Sequence, residues 1–80
     1  MRLTIYSKPG CHLCEEMKAT VALVLKDRPA LVVEAIDISL DPSLMASYEA
    51  EIPVLMIDGK KAAKYRITEQ ELRQRLDRRR

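Results

Sequence analysis

The sequence predicts an α/β fold, a four-stranded mixed sheet flanked by three helices in the order β-α-β-α-β-β-α. Three observations predict it. Segments of strand period alternate with segments of helical period, and no linker, repeat or low-complexity stretch separates them. The 80 residues leave no room for two independent cores, so residues 1–80 read as a single domain. Asp58–Gly59, between apolar and alternating runs, is a strong two-residue hairpin signal that fixes the direction of the last two strands.

Taken in order, Arg2 to Tyr6 is a short strand with Leu3 and Ile5 on one face and Thr4 and Tyr6 on the other. Ser7–Lys8–Pro9–Gly10 is a turn. From about His12 to Lys26, Leu13, Met17, Thr20/Val21 and Val24 fall at helical spacing, and Glu15 and Glu16 occupy the first turn, where acids suit the helix dipole. Asp27–Arg28–Pro29 stops this helix. Leu31 to Ile38 is β-branched and largely apolar, the pattern of a strand buried on both faces.

Asp41 as N-cap and Pro42 at the first helical position open a short helix to about Glu49. Val54 to Ile57 is the third strand, and Lys60 to Tyr65 returns antiparallel to it. Lys60, Lys61, Lys64 and Arg66 suit an edge guarded against further pairing. Thr68–x–x–Glu71 is a capping box, with Leu72 and Leu76 as the buried stripe of a last helix. Tyr6, Tyr48 and Tyr65 read as packing or surface residues, and Met17, Met45 and Met56 as core filler. The first β-α-β unit must be a right-handed crossover with parallel strands. Adding the hairpin to it gives the thioredoxin-like architecture.

Composition narrows the function. At 48% apolar and 32% charged residues the chain is neither disordered nor embedded in a membrane. Its longest apolar run, Val21 to Leu25, falls far short of the roughly 20 residues that span a bilayer. Lys8, Pro9 and Gly10 stand where a targeting segment would continue, so a cytoplasmic location is expected. The net charge of +2 is too small to imply a polyanion partner. Arg73, Arg75, Arg78, Arg79 and Arg80 against Asp77 alone give the last eight residues a local +4. A nucleic-acid or acidic-surface contact is one reading of them. With no interleaved aromatics, a solvated helix end whose cations suit the negative helix pole is the better one. Neither a nucleic-acid nor a membrane partner is expected, and the chain is expected to be a monomer.

Cys11 and Cys14 carry the chemistry. In a reducing compartment a structural disulfide is disfavoured, and so close a pair closes too small a loop to stabilise much. Structural zinc normally takes four protein ligands, whereas Cys11, Cys14 and the lone His12 supply three with no second cluster. No metal is therefore expected, and redox chemistry remains. At the turn entering the first helix, backbone N–H groups and the positive helix pole favour the Cys11 thiolate, with Lys8 as a further cationic neighbour. Residues i and i+3 share a helix face, about 5–6 Å apart at Cβ. A small adjustment brings the sulfurs to bonding distance. Cys11 can then attack a substrate disulfide and Cys14 resolve the mixed disulfide. A Cys-x-x-Cys at the strand-to-helix junction of a β-α-β unit is a strong signal for this.

His12 is either a solvent-facing helix residue or a cation that stabilises the neighbouring thiolate. In Glu51–Ile52–Pro53–Val54, the proline belongs at the mouth of its strand because it cannot donate to the ladder. Opposite the dithiol, a cis Pro53 would leave the Ile52 backbone free to pair with an extended substrate.

These residues resemble a known family. Y-S-K-P-G-C-H-L-C-E-E at 6–16, I-P-V-L-M-I-D-G-K at 52–60, the hairpin and the final helix together look like glutaredoxins, over residues 2 to 77. The nearest likeness is to the short glutaredoxin-like proteins with leucine before the second cysteine. The resemblance implies a thioredoxin-like fold, Cys11 as nucleophile, Cys14 as resolving thiol and Pro53 in cis. It also implies Lys8 as a basic contact for a glutathione carboxylate and Ile52 as the backbone that holds the glutathione cysteine.

The chain also departs from the family. His12–Leu13 replaces the usual Pro-Tyr, and Ala62–Ala63–Lys64–Tyr65–Arg66 stands where a glycine pair and an acid contact glutathione. Glycine permits close backbone approach, so its loss crowds or reshapes that subsite and counts against glutathione as reductant, while the thiol chemistry is untouched. The expectation is a thiol–disulfide oxidoreductase with no bound cofactor, acting on protein or glutathione-type disulfides. Glutathione or a reductase would donate the electrons. A redox-sensitive binding module without turnover is the alternative, and a metal- or cluster-binding dimer sharing Cys11 is a third reading.

Overall fold

The computed structural model describes residues 1–78. Its elements are β1 (Arg2–Ser7), α1 (His12–Leu25), β2 (Val32–Asp37), a 3-10 turn (Ile38–Leu40), α2 (Pro42–Tyr48), β3 (Val54–Ile57), β4 (Lys60–Lys64) and α3 (Glu69–Asp77). The sheet order is β2-β1-β3-β4, with β2 parallel to β1 and the other pairs antiparallel. This is the expected four-stranded mixed sheet with three helices.

Strand alternation decides what each face carries. Leu3 and Ile5 of β1 lie opposite Ile57 and Leu55 of β3, so all four side chains project to one face. There they form the core with Met17, Val21 and Val24 of α1, Leu72 and Leu76 of α3, and Ile67. The helical spacing of these positions, three to four residues apart, is what turns one apolar stripe of each helix inward. On the opposite face Tyr6 stacks on Tyr48 of α2, with ring centroids 4.7 Å apart and planes 11° from parallel.

Three expectations need correction. The segment expected to be buried on both faces is an edge strand. β2 pairs with β1 alone, Val32 is 52% exposed, and Glu34 and Ala35 also face solvent. An apolar run is compatible with either place, and here the strand has one neighbour in the sheet and only Val33 of its residues packs against the core cluster. That strand also ends one residue early, because the Asp37 side chain accepts the Ser39 N–H at 2.9 Å and winds Ile38–Leu40 into a 3-10 turn. Of the three methionines, only Met17 joins the core; Met45 and Met56 are half-buried on the α2 side, where a seven-residue helix gives thinner cover.

The turns behave as their residues dictate. Asp58 and Gly59 both take positive φ (49° and 83°), as the tight hairpin requires. At the start of α3, the Glu71 N–H donates to Thr68 Oγ1 and the Thr68 N–H donates to Glu71 Oε1, each at 3.1 Å, closing the capping box. Two ion pairs fasten α3 to the end of α1. Arg73 makes bidentate bonds to Asp27 at 2.6 and 3.0 Å and also reaches Glu69, and Arg28 bonds Asp77 at 2.8 Å. Part of the arginine-rich stretch thus serves helix docking. Arg79 and Arg80, the end of the basic tail singled out in the sequence, lie outside the described residues.

These contacts set a pH dependence. Hydrogen bonding from the Thr68 backbone holds Glu71 below the ordinary 4.5, a bond from Lys61 does the same for Glu51, and the Arg73 guanidinium holds Asp27 below 3.8. Lowered folded-state values mean that the stability they contribute is complete above the unfolded values and fades as the pH falls through them. Thermal unfolding followed by circular dichroism is expected to give a Tm that declines below about pH 4.5. Glu71→Gln, which keeps the box without the charge, should decline less steeply; superimposable profiles would exclude Glu71 as a contributor.

Candidate active site

The site is built where β1 hands over to α1. β1 ends at buried Ser7, and Gly10 takes φ 77°, a left-handed conformation that turns the chain into the helix and that glycine adopts without steric cost. Cys11 is the N-cap of α1, in extended conformation, and its Sγ accepts the Cys14 N–H at 3.2 Å. Sulfur stands here in the place usually filled by the oxygen of Ser, Thr, Asp or Asn. Cys11 and Cys14 are joined as a disulfide with their Cα atoms 5.2 Å apart. The two sulfur-bearing residues differ in access: Cys11 is half-buried, whereas Cys14 is fully buried.

Glu15 and Glu16 project to solvent. Glu15 lies 3.7 Å from Lys18 and Glu16 lies 3.7 Å from His12. His12 itself has a 92% exposed side chain leaning along the helix toward Glu16. Lys8 is half-buried on the connecting loop, where it lines a hollow of about 170 Å³ with Ser7, Glu15, Lys18 and Asp37.

β3 brings the second half of the site. Its register, Tyr6 opposite Val54, sets the start of β3 beside the carboxyl end of β1, the end from which the cysteine loop departs. Pro53, fully buried, and half-buried Ile52 therefore share that end of the sheet with Cys11 and Cys14, and the Ile52–Pro53 peptide is cis. Among the residues singled out in the sequence, the fold gathers the dithiol, Lys8, Ile52 and Pro53 at one end. His12 shares that end but turns outward.

Sequence reasoning missed Tyr65. It lies just past β4 with φ 69°, a left-handed conformation that costs a side-chain-bearing residue roughly 1–2 kcal/mol. Its N–H donates to the Pro53 carbonyl at 2.8 Å and its hydroxyl donates to the Ala50 carbonyl at 3.0 Å. The Lys64 ammonium sits 5.6 Å from its ring centroid. Nearby, Lys61 bonds Glu51 at 2.7 Å. The sequence pattern ran the fourth strand through Tyr65, whereas β4 ends at Lys64 because the positive φ of Tyr65 turns the chain out of the ladder. Between α1 and residues 65–68 lies an open hollow of about 320 Å³ lined by Glu16, Met17, Thr20 and Tyr65 among others. Among the described residues, no group of three or more His, Cys, Asp or Glu is placed to hold a metal ion. No helix among them is long and apolar enough to cross a membrane.

A mixed sheet in this order, with a Cys-x-x-Cys pair at the entry to α1 and a cis-proline at the mouth of β3, defines a thioredoxin-like fold. Residues 2–77 match the glutaredoxin-like domain (DUF836), and the chain belongs to that family. The protein XcR50 of X. campestris, solved by X-ray, is similar over 98% of this chain and 99% of its own, with a TM-score of 0.74 and 26% identity. Fasciola hepatica thioredoxin shares the fold at a TM-score of 0.67 and 20% identity, over 99% of this chain and 80% of its own. Oxidised thioredoxin O2 of Arabidopsis thaliana does so at 0.68 and 14%, over 98% and 73%. No match was found among curated proteins.

Proposed function

We propose that the protein is a thiol–disulfide oxidoreductase that reduces protein or low-molecular-weight disulfides. The observation that carries this reading is the pairing of one accessible and one buried cysteine across a single helix turn, with the accessible one capping the helix. In the reduced state the Cys11 thiolate attacks one sulfur of R–S–S–R′, forming the Cys11–S–S–R mixed disulfide and expelling R′S⁻. Cys14 attacks Cys11 Sγ, which closes the internal disulfide and expels RS⁻, and the Cys14 proton passes to that leaving thiolate to give RSH. Two electrons have passed to the substrate, and glutathione or a reductase returns them to the protein.

The helix N-terminus and the Cys14 N–H favour negative charge on Cys11. In this reading Ile52, beside cis Pro53, presents its backbone to an extended substrate and Lys8 offers a cation to a carboxylate. His12, exposed beside Cys11, touches whatever docks there. The protein works in the cytoplasm as a monomer, without a bound cofactor. Tyr65 and its neighbours, where glutathione enzymes of this kind carry glycines, favour a reductase over glutathione as donor.

The test is turnover. Reduced protein should reduce hydroxyethyl disulfide or insulin when recharged by at least one of glutathione, thioredoxin reductase or dithiothreitol. Silence with all three, while a partner is still retained by the Cys11→Ser variant, would overturn the enzyme and leave a redox-sensitive binding module.

A further inference from the structure

We infer that Tyr65 is a positioning residue that holds the Ala50–Pro53 segment in place for an extended peptide; this rests on the disulfide-exchange reading above. Four facts bear on it. The residue keeps a left-handed backbone with a large side chain, a state that persists only where contacts over-determine it. Its N–H binds the Pro53 carbonyl and its hydroxyl binds the Ala50 carbonyl, so one residue grips both ends of the same four-residue segment. That segment joins a short helix, α2, to the site strand, β3. Its interior is held by the Glu51 N–H on the Tyr48 carbonyl at 2.8 Å and by Lys61 on Glu51, an exposed pair worth little by itself.

The hydroxyl bond is therefore the tie that distinguishes tyrosine from any other residue at this position. The backbone bond to Pro53 would survive substitution, whereas the bond to Ala50 would not. A substrate that binds by pairing its backbone with Ile52, beside Pro53, needs the segment fixed beforehand. A small disulfide that meets only the cysteines does not.

Tyr65→Phe removes the hydroxyl and little else. Two substrates sharing one leaving thiol separate the effects: a short extended peptide joined through its cysteine to mercaptoethanol, and hydroxyethyl disulfide. The variant should raise KM for the peptide roughly three- to tenfold, the net worth of one hydrogen bond, with kcat nearly kept and a loss of at most about twofold on hydroxyethyl disulfide. Hydrogen exchange of the Glu51 and Tyr65 amides should quicken by a similar factor. Unaltered exchange, an unaltered peptide KM, or equal losses on both substrates would overturn the positioning role. Failure of the wild-type protein to reduce either substrate would instead overturn the disulfide-exchange reading. Exchange protection would then decide by itself whether Tyr65 holds the segment.

Discussion

Cys11→Ser is expected to reduce disulfide exchange to the uncatalysed background, while Cys14→Ser retains the first step and accumulates a mixed disulfide on Cys11. The asymmetry follows from position. Cys11 is half-buried at the mouth of α1, with its sulfur already accepting an N–H, so it is the thiol a bulky disulfide can reach. Cys14 is fully buried one turn inside and can reach only a sulfur presented to it by Cys11. Removing the first leaves a thiol with nothing to resolve; removing the second leaves an adduct with no exit. Mass spectrometry of each variant after exposure to a disulfide substrate checks both halves. Iodoacetamide should modify Cys11 of the reduced protein much faster than Cys14 at neutral pH. An adduct on Cys14, or equal alkylation rates, would reverse the assigned order.

The second large effect is on stability. Leu55→Ala should cost about 3 kcal/mol, within the usual range of about 2–5 for a buried leucine. Leu55 has no exposed surface, and β3 lies between β1 and β4, so no edge can relax inward to fill the cavity. A domain of 80 residues has roughly 4–12 kcal/mol to lose, so the variant should unfold at far lower denaturant and populate unfolded chains at physiological temperature. Leu40→Ala is the control: 82% exposed in the 3-10 turn, it should shift stability by less than about 0.5 kcal/mol. Urea unfolding of both variants gives the comparison. A Leu55→Ala cost below about 1 kcal/mol would mean that the sheet is not packed as described.

What could be read from the sequence was local. Asp58–Gly59 announced a hairpin because few other pairs accept two positive φ angles, and Thr68 with Glu71 announced a helix start because each satisfies the other's backbone. Cys11 and Cys14 announced their chemistry because the spacing of one helix turn brings the sulfurs together. What remained hidden depends on sheet order and long-range pairing. The apolar run at 31–38 has the same pattern at an edge as at the centre of a sheet, and only β1's other neighbour, β3, sends it to the edge. The Asp27–Arg73 contact joins positions 46 residues apart, and nothing near either one signals the other. Tyr65 was illegible for a further reason: its backbone contradicts its residue type, and the cause is a carbonyl 15 residues earlier.

A helix whose first turn is fastened by its own reagent cannot arm that reagent at the expense of order, because a sulfur bearing full negative charge is a better acceptor for the Cys14 amide than a neutral one. Readiness to react and tautness of the scaffold rise together, and the protein reaches its most aggressive form without loosening.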